Sequence, residues 1–241
     1  MSSDAAPTNA PVSVVIDDGV AVVRLDDGKA NAVSHEAIDL VHAALDRSLE
    51  DARAVVIAGR PGRFSAGFDL KVMGAGDQPM QELVLAGAGL FLRLYGHPQP
   101  VVAACTGHAL AGGAILLLAA DTRIGAAGDF KVGLNEVGIG MTLPAFAVEM
   151  ARDRLRTHLL TSATVLGQVF DPDGAVDAGY LDRVVAGDAV VDEAVAEARR
   201  LAELRSGAVA GTKRRLRAAT LQRCRATLED DVAELTAPPA G

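Results

Sequence analysis

The chain has 241 residues, half of them hydrophobic, and its 23 Lys and Arg stand against 31 Asp and Glu for a net charge of −8. That apolar content excludes wholesale disorder, and the acidic balance argues against general binding to nucleic acid or to an anionic membrane surface. With no Trp, two Tyr and six Phe, the core must be built from Ala, Val and Leu, and bases would find few aromatic platforms to stack on.

Residues 1–11 carry an acid, no base and no apolar run, so they read as a disordered tail and not as a signal peptide. Two β-branched runs, Val12–Ile16 and Val20–Leu25, flank Asp17-Asp18-Gly19 and predict a hairpin. After a loop through Asn31, Ser34 is placed to cap a helix in which Ile38, Val41, Leu45 and Leu49 recur at helical spacing. Val55-Val56-Ile57 predicts a buried strand, Arg63 to Gly76 a long loop, and Pro79–Tyr95 a helix stopped by His97-Pro98-Gln99-Pro100.

Val101–Cys105 predicts a further strand, Gly107 to Gly113 a glycine-rich turn, and Ala114–Ala120 an apolar helix too short to span a membrane. Short strands are expected around Arg123-Ile124 and Phe130-Lys131-Val132, a helix from Pro144 to about Leu155, and an edge strand at Val184-Val185. Helices over 189–204 and 212–235 complete the chain before Pro238-Pro239. The pattern is α/β, with a core over 12–187 and a charge-rich C-terminal helical region over 188–241.

Several familiar site signatures fail. Gly138-Ile139-Gly140 lacks the third glycine of a dinucleotide fingerprint, and there is no phosphate-binding loop ending in Gly-Lys. His35-Glu36 is followed by Asp39 where a zinc site would need its second His. Ser65 lacks the leading glycine of a hydrolase elbow. Cys105 and Cys224 form no C-x-x-C pair, which disfavours a disulfide scaffold or zinc ribbon and fits a reducing, cytoplasmic setting.

Two segments remain. Phe64-Ser65-Ala66-Gly67-Phe68-Asp69-Leu70-Lys71 resembles the F-[SC]-A-G-x-D-L-K segment of the crotonase superfamily, the enoyl-CoA hydratase/isomerase family. Gly107-His108-Ala109-Leu110-Ala111-Gly112-Gly113 resembles that family's G-x-A-x-G-G-G turn. Asp121, the 133–140 segment and the 178–185 segment match further along, in order, so that the resemblance covers about residues 12–220. It implies a crotonase-like spiral of repeated strand–strand–helix units, with C-terminal helices that mediate homotrimers or homohexamers.

The chemistry of the two glycine segments follows from elementary electrostatics. When a proton leaves the α-carbon of a thioester, or a nucleophile adds to its β-carbon, the carbonyl oxygen becomes negative. Backbone N–H groups aimed at that oxygen stabilise it by ~3–4 kcal/mol each, provided glycine lets the backbone come close and a following helix adds positive potential. The resemblance assigns these donors to Phe68 and Gly112. It places Ala66, Phe68 and Leu70 along the path of coenzyme A, Lys29 near the mouth of that path, and Lys213 near the CoA phosphates. Lys213 also sits in a basic run with Arg214, Arg215 and Arg217 that has the alternative reading of a solvated helix face.

Hydratases of this family flank the substrate with two glutamates. Here the first of those positions is Ile115, among apolar neighbours, and only the second is matched, by Glu136. The apolar wall of Ile115 to Leu118 is expected to raise the Glu136 pKa by desolvation. The expectation is therefore an isomerase-type enzyme that moves one proton with a single glutamate on an acyl-CoA substrate, with no metal and no cofactor beyond the CoA of the substrate. Hydration by Glu136 with an unidentified second acid, and a non-catalytic acyl-CoA carrier or sensor, are the competing readings. A serine protease on the same spiral would require Ser65 to meet a His and an Asp, and no motif supplies them.

Overall fold

The computed structural model describes residues 10–235; most of the predicted tail and Pro238-Pro239 lie outside them. The hairpin forms as expected: β1 (Val12–Asp17) and β2 (Val20–Leu25) pair antiparallel in full register, Val12 with Leu25 through Asp17 with Val20. β3 (Ala32–Val33) leads into α1 (His35–Asp51), where the Ser34 hydroxyl accepts from the Ala37 N–H at 3.2 Å, satisfying one orphan donor of the first turn.

From there the chain coils in repeating pairs of strands. β4 (Ala54–Ala58), β7 (Val101–Cys105) and β9 (Thr122–Ala126) each begin a turn, and β5 (Gly62–Ser65), β8 (Gly107–Leu110) and β10 (Val132–Gly133) each continue it. The first members lie side by side in a six-stranded sheet of order β1-β2-β4-β7-β9-β11, β11 being Arg183–Val185. The second members form a three-stranded sheet, β10-β8-β5, and β6 (Gly67–Phe68) pairs with β3. Every pairing between these strands after the hairpin is parallel, and β10 adds one isolated antiparallel bridge from Val132 to Phe170. A parallel sheet is covered on both faces, and β4 and β7 are accordingly apolar and buried at every position.

α2 (Leu70–Met73), α3 (Asp77–Tyr95) and α4 (Gly112–Ala119) pack with α1 on one face of the large sheet, with α5 (Ala145–Arg154), α6 (Leu160–Thr164) and α7 (Pro172–Ala178) following. The other face is covered by α8 (Val190–Ala202), whose Val190, Ala194, Ala198 and Ala202 meet Val20, Val56, Ala104 and Ile124. Alanine every fourth residue lets this helix lie close to the strands. The C-terminal region is therefore divided: α8 completes the body of the fold, and only α9 (Ser206–Glu234) runs outside it, against α3 and α5.

Two expectations need correction. The predicted loop from Arg63 to Gly76 contains most of β5, all of β6 and the four-residue α2, elements too short to show a period in sequence. The predicted glycine turn from Gly107 to Gly113 is a strand, β8, ending in the first turn of α4. Its glycines serve close approach: a Cβ on Gly107 would collide with the Gly62 backbone, and one on Gly113 with the Ser65 carbonyl.

Candidate active site

The two glycine segments meet. A Cβ built on Gly67 would lie 3.0 Å from the Gly112 nitrogen and 3.2 Å from the Leu110 carbonyl oxygen, and Gly67 itself has φ +93°. Only glycine combines that conformation with that approach. On the other side of the contact Ala111 has φ 48° and ψ −124°, a region that costs an alanine about 1–3 kcal/mol and persists only where surroundings enforce it. Its N–H is fixed to the Gly133 carbonyl at 3.1 Å. The bend starts α4 at Gly112, so the Gly112 N–H belongs to the first helical turn, which has no helical acceptor and lies at the positive end of the helix dipole.

The facing strand is held as firmly. Asn31 is buried, and its Nδ2 donates to the carbonyls of Leu25, Arg63 and Phe64 at 2.8–3.2 Å. The Ser65 hydroxyl donates to the Asn31 carbonyl at 2.7 Å and accepts from the Gly67 N–H at 3.2 Å. Ser65 is wholly buried and engaged in this scaffold, which removes the protease reading. The roles of Asn31 and Ser65 as struts were not read from the sequence. The only signal was their place beside the glycine segment.

Between the segments lies a cavity of about 200 Å³. Ala66, Phe68 and Leu70 line one side, Leu110, Ala111 and Ile115 another, and Asn135 and Glu136 face them. Met73, Val84, Pro144 and Leu235 extend the wall in apolar side chains that sequence reasoning did not single out. Leu70 is 78% exposed, so the cavity opens to solvent at that edge.

Glu136 is 7% exposed, and its Oε2 has no hydrogen-bond partner; Asn135 Oδ1 beside it is equally unpartnered. The Glu136 backbone is secured, its carbonyl accepting the N–H groups of Ile139 and Met141 at 3.0 and 2.9 Å, while its carboxylate is left to the cavity. Burial pushes its pKa up from 4.5 to about 7, as a desolvated carboxylate without a cation nearby requires. Ile115 is buried on the same cavity.

Of the two lysines, Lys29 is exposed on the loop whose next residue, Ala30, accepts the Ala66 N–H at 3.0 Å; it stands beside the cavity and does not line it. Lys213 corrects both of its readings. It is 8% exposed, and its ammonium donates to Asp121 Oδ2 at 2.5 Å and to the Gln99 carbonyl at 2.7 Å. It neither lines the cavity nor faces solvent.

Comparison with known proteins agrees with this architecture. The structure of an enoyl-CoA hydratase/isomerase family protein from Pseudomonas syringae superposes with a TM-score of 0.91 at 43% identity, over 93% of this chain and 98% of that one. A Mycobacterium tuberculosis protein superposes at 0.88 and 40% identity over 93% and 98% in a structure described as an enoyl-CoA isomerase, and at 0.89 and 41% over 93% and 95% in one described as a probable enoyl-CoA hydratase. By sequence, a probable enoyl-CoA hydratase of Bacillus subtilis is 32% identical over 80% of this chain and 76% of its own length. The human mitochondrial enoyl-CoA delta isomerase 1 is 30% identical over 89% and 72%.

The fold and the paired glycine segments thus define an enzyme of the crotonase type. The enoyl-CoA hydratase/isomerase family model matches residues 15–240, and the chain belongs to that family.

Proposed function

We propose that this enzyme acts on an enoyl-CoA thioester and moves its double bond from the 3- to the 2-position. Glu136 takes a proton from C2, and the charge that develops on the thioester oxygen is held by the N–H groups of Phe68 and Gly112. The protonated Glu136 then returns the proton at C4, leaving the double bond conjugated with the carbonyl and the enzyme unchanged. The observation that carries this reading is that Glu136 alone supplies a carboxylate to the described cavity wall, while Ile115 fills the place of a second acid. A base with pKa about 7 suits both halves of such a shuttle, because it gains and loses the proton with little free-energy difference at neutral pH.

Ala66, Phe68 and Leu70 supply an apolar path for the pantetheine arm, and Lys29, exposed beside Ala66, suits the CoA phosphates. Val137 and Ile139 on one segment and Val165, Leu166 and Val169 on another are exposed, and the two segments approach at Gly167, where a Cβ would come within 3.2 Å of the Gly138 nitrogen. This apolar surface supports assembly into a homotrimer or homohexamer.

Purified protein assayed in parallel on 3-enoyl-CoA and 2-enoyl-CoA tests the reading. The expected result is conversion of the first to 2-enoyl-CoA with little water addition to the second. Rapid formation of 3-hydroxyacyl-CoA would instead establish hydration, and saturable binding without either product would establish a carrier.

A further inference from the structure

α9 is strapped to α5 by three rungs, one helical turn apart on α5. Thr220 Oγ1 donates to Asp153 Oδ2 at 2.6 Å, and Arg223 pairs with Glu149 at 2.7 Å. The third rung differs in kind. Asp231 Oδ2 accepts the backbone N–H of Ala145, the first residue of α5, at 2.7 Å. That N–H is one of the orphan donors of a helix start, so Asp231 caps α5 from 86 residues away. Pro144, just before this donor, and Leu235, one turn beyond Asp231, both line the cavity. The rung therefore fixes the spacing between two of the cavity's own walls.

The geometry points to Leu235 as a specificity-determining residue that limits the length of the acyl chain, with Asp231 as the positioning residue that holds it there. Met73, Val84 and Pro144 line the same cavity as Leu235 and are apolar, so the group this wall would meet is an aliphatic tail. This rests on the acyl-CoA reading above but not on the reaction chosen there. Trimming Leu235 lengthens the space, enlarging it fills the space, and losing the rung lets the α9 end swing outward.

The test is the affinity of hexanoyl-CoA and dodecanoyl-CoA, saturated esters that need no turnover, measured calorimetrically beside the rate on 3-enoyl-CoA of the same two lengths. Leu235→Ala should shift the ratio of affinities toward the longer ester by roughly tenfold, the scale on which one or two methylenes are discriminated. Leu235→Trp should shift it the other way. Asp231→Ala should move the ratio in the direction of Leu235→Ala, while Asp231→Asn, which still presents a capping oxygen, should stay within about twofold of wild type and so separate positioning from general stability. Unchanged ratios in both Leu235 variants, shown folded by thermal melts, would overturn the wall. An unchanged ratio in Asp231→Ala, or failure of Asp231→Asn to restore it, would overturn the rung. Should Leu235→Trp not fold, Leu235→Met and Leu235→Ala still read the wall. Failure to bind either ester would sink both this inference and the acyl-CoA reading. Absence of isomerisation with a shifted ratio would sink the reaction and leave the wall standing.

Discussion

Asp121 and Glu136 are two carboxylates held inside one fold in opposite ways. Asp121 is surrounded by donors: Lys213 at 2.5 Å, Arg217 at 2.9 Å and the Val101 N–H at 2.7 Å. Glu136 is more deeply buried, yet its Oε2 has no partner at all. The first arrangement fastens α9 to the sheet, since breaking one partner leaves the others charged and stranded. The second leaves a carboxylate oxygen unpaired, with a pKa of about 7, at a cost in stability that fits the proton-transfer role proposed above. Saturation marks an anchor in this molecule, and starvation marks the residue proposed as the base.

The contrast is broken most severely at Glu136. Glu136→Gln keeps the shape and removes the proton acceptor, so turnover of 3-enoyl-CoA should fall by ~10²–10⁴-fold with little change in acyl-CoA affinity. Steady-state rates and calorimetric binding on one preparation check this, and a variant at wild-type rate would exclude Glu136 as the base. Asp121→Ala should behave in reverse. Stranding Lys213 and Arg217 should lower stability by about 3–5 kcal/mol, read from urea midpoints, while the rate per folded molecule is retained.

A third measurement joins the two properties. In the fold Glu136 stays protonated up to about pH 7, whereas in the unfolded chain it ionises near 4.5. The unfolded chain therefore loses its proton first, and stability falls as pH rises through that window, by roughly 3 kcal/mol in all. Glu136→Gln is free of this penalty. It should melt above wild type at pH 8, and the gap should close towards pH 4. A constant gap would place the stabilisation elsewhere. The smallest effect is expected at Lys29, whose replacement by Ala should weaken CoA esters a few-fold at low salt and hardly at all at high salt, because an exposed charge pair is worth about 0–1 kcal/mol and is screened. Equal losses on pantetheine thioesters, which lack the distal phosphates, would remove the assignment.

What the sequence showed was set by how local each constraint is. The hairpin, the Ser34 cap and the buried strands were legible because their period and turn residues lie within a few positions. The glycine segments were legible because close approach admits no substitute for glycine, and Glu136 because it stands in a matched segment with an apolar wall nearby. Lys213 was not legible. Lys213, Arg217, Thr220 and Cys224 form one inward stripe while Arg214 and Arg215 are exposed, and the partner that draws the stripe inward, Asp121, is 92 residues away. Neither composition nor period can distinguish that stripe from a solvated basic face. Leu235 was hidden for the same reason, since other apolar residues that line its cavity, Met73 and Val84, belong to α2 and α3, far away in sequence.

The spiral has a kinetic corollary. Gly67 and Gly112 lie on successive turns of the coil, brought together by the pairing of β5 with β8. No single turn contains both Phe68 and Gly112, the two donors proposed for the thioester oxygen, so on that reading a nascent or refolding chain with one well-formed turn still has nowhere to put that oxygen. Recovery of activity after dilution from denaturant should therefore trail the recovery of helical signal, and the lag between them reports the time taken for adjacent turns to stack.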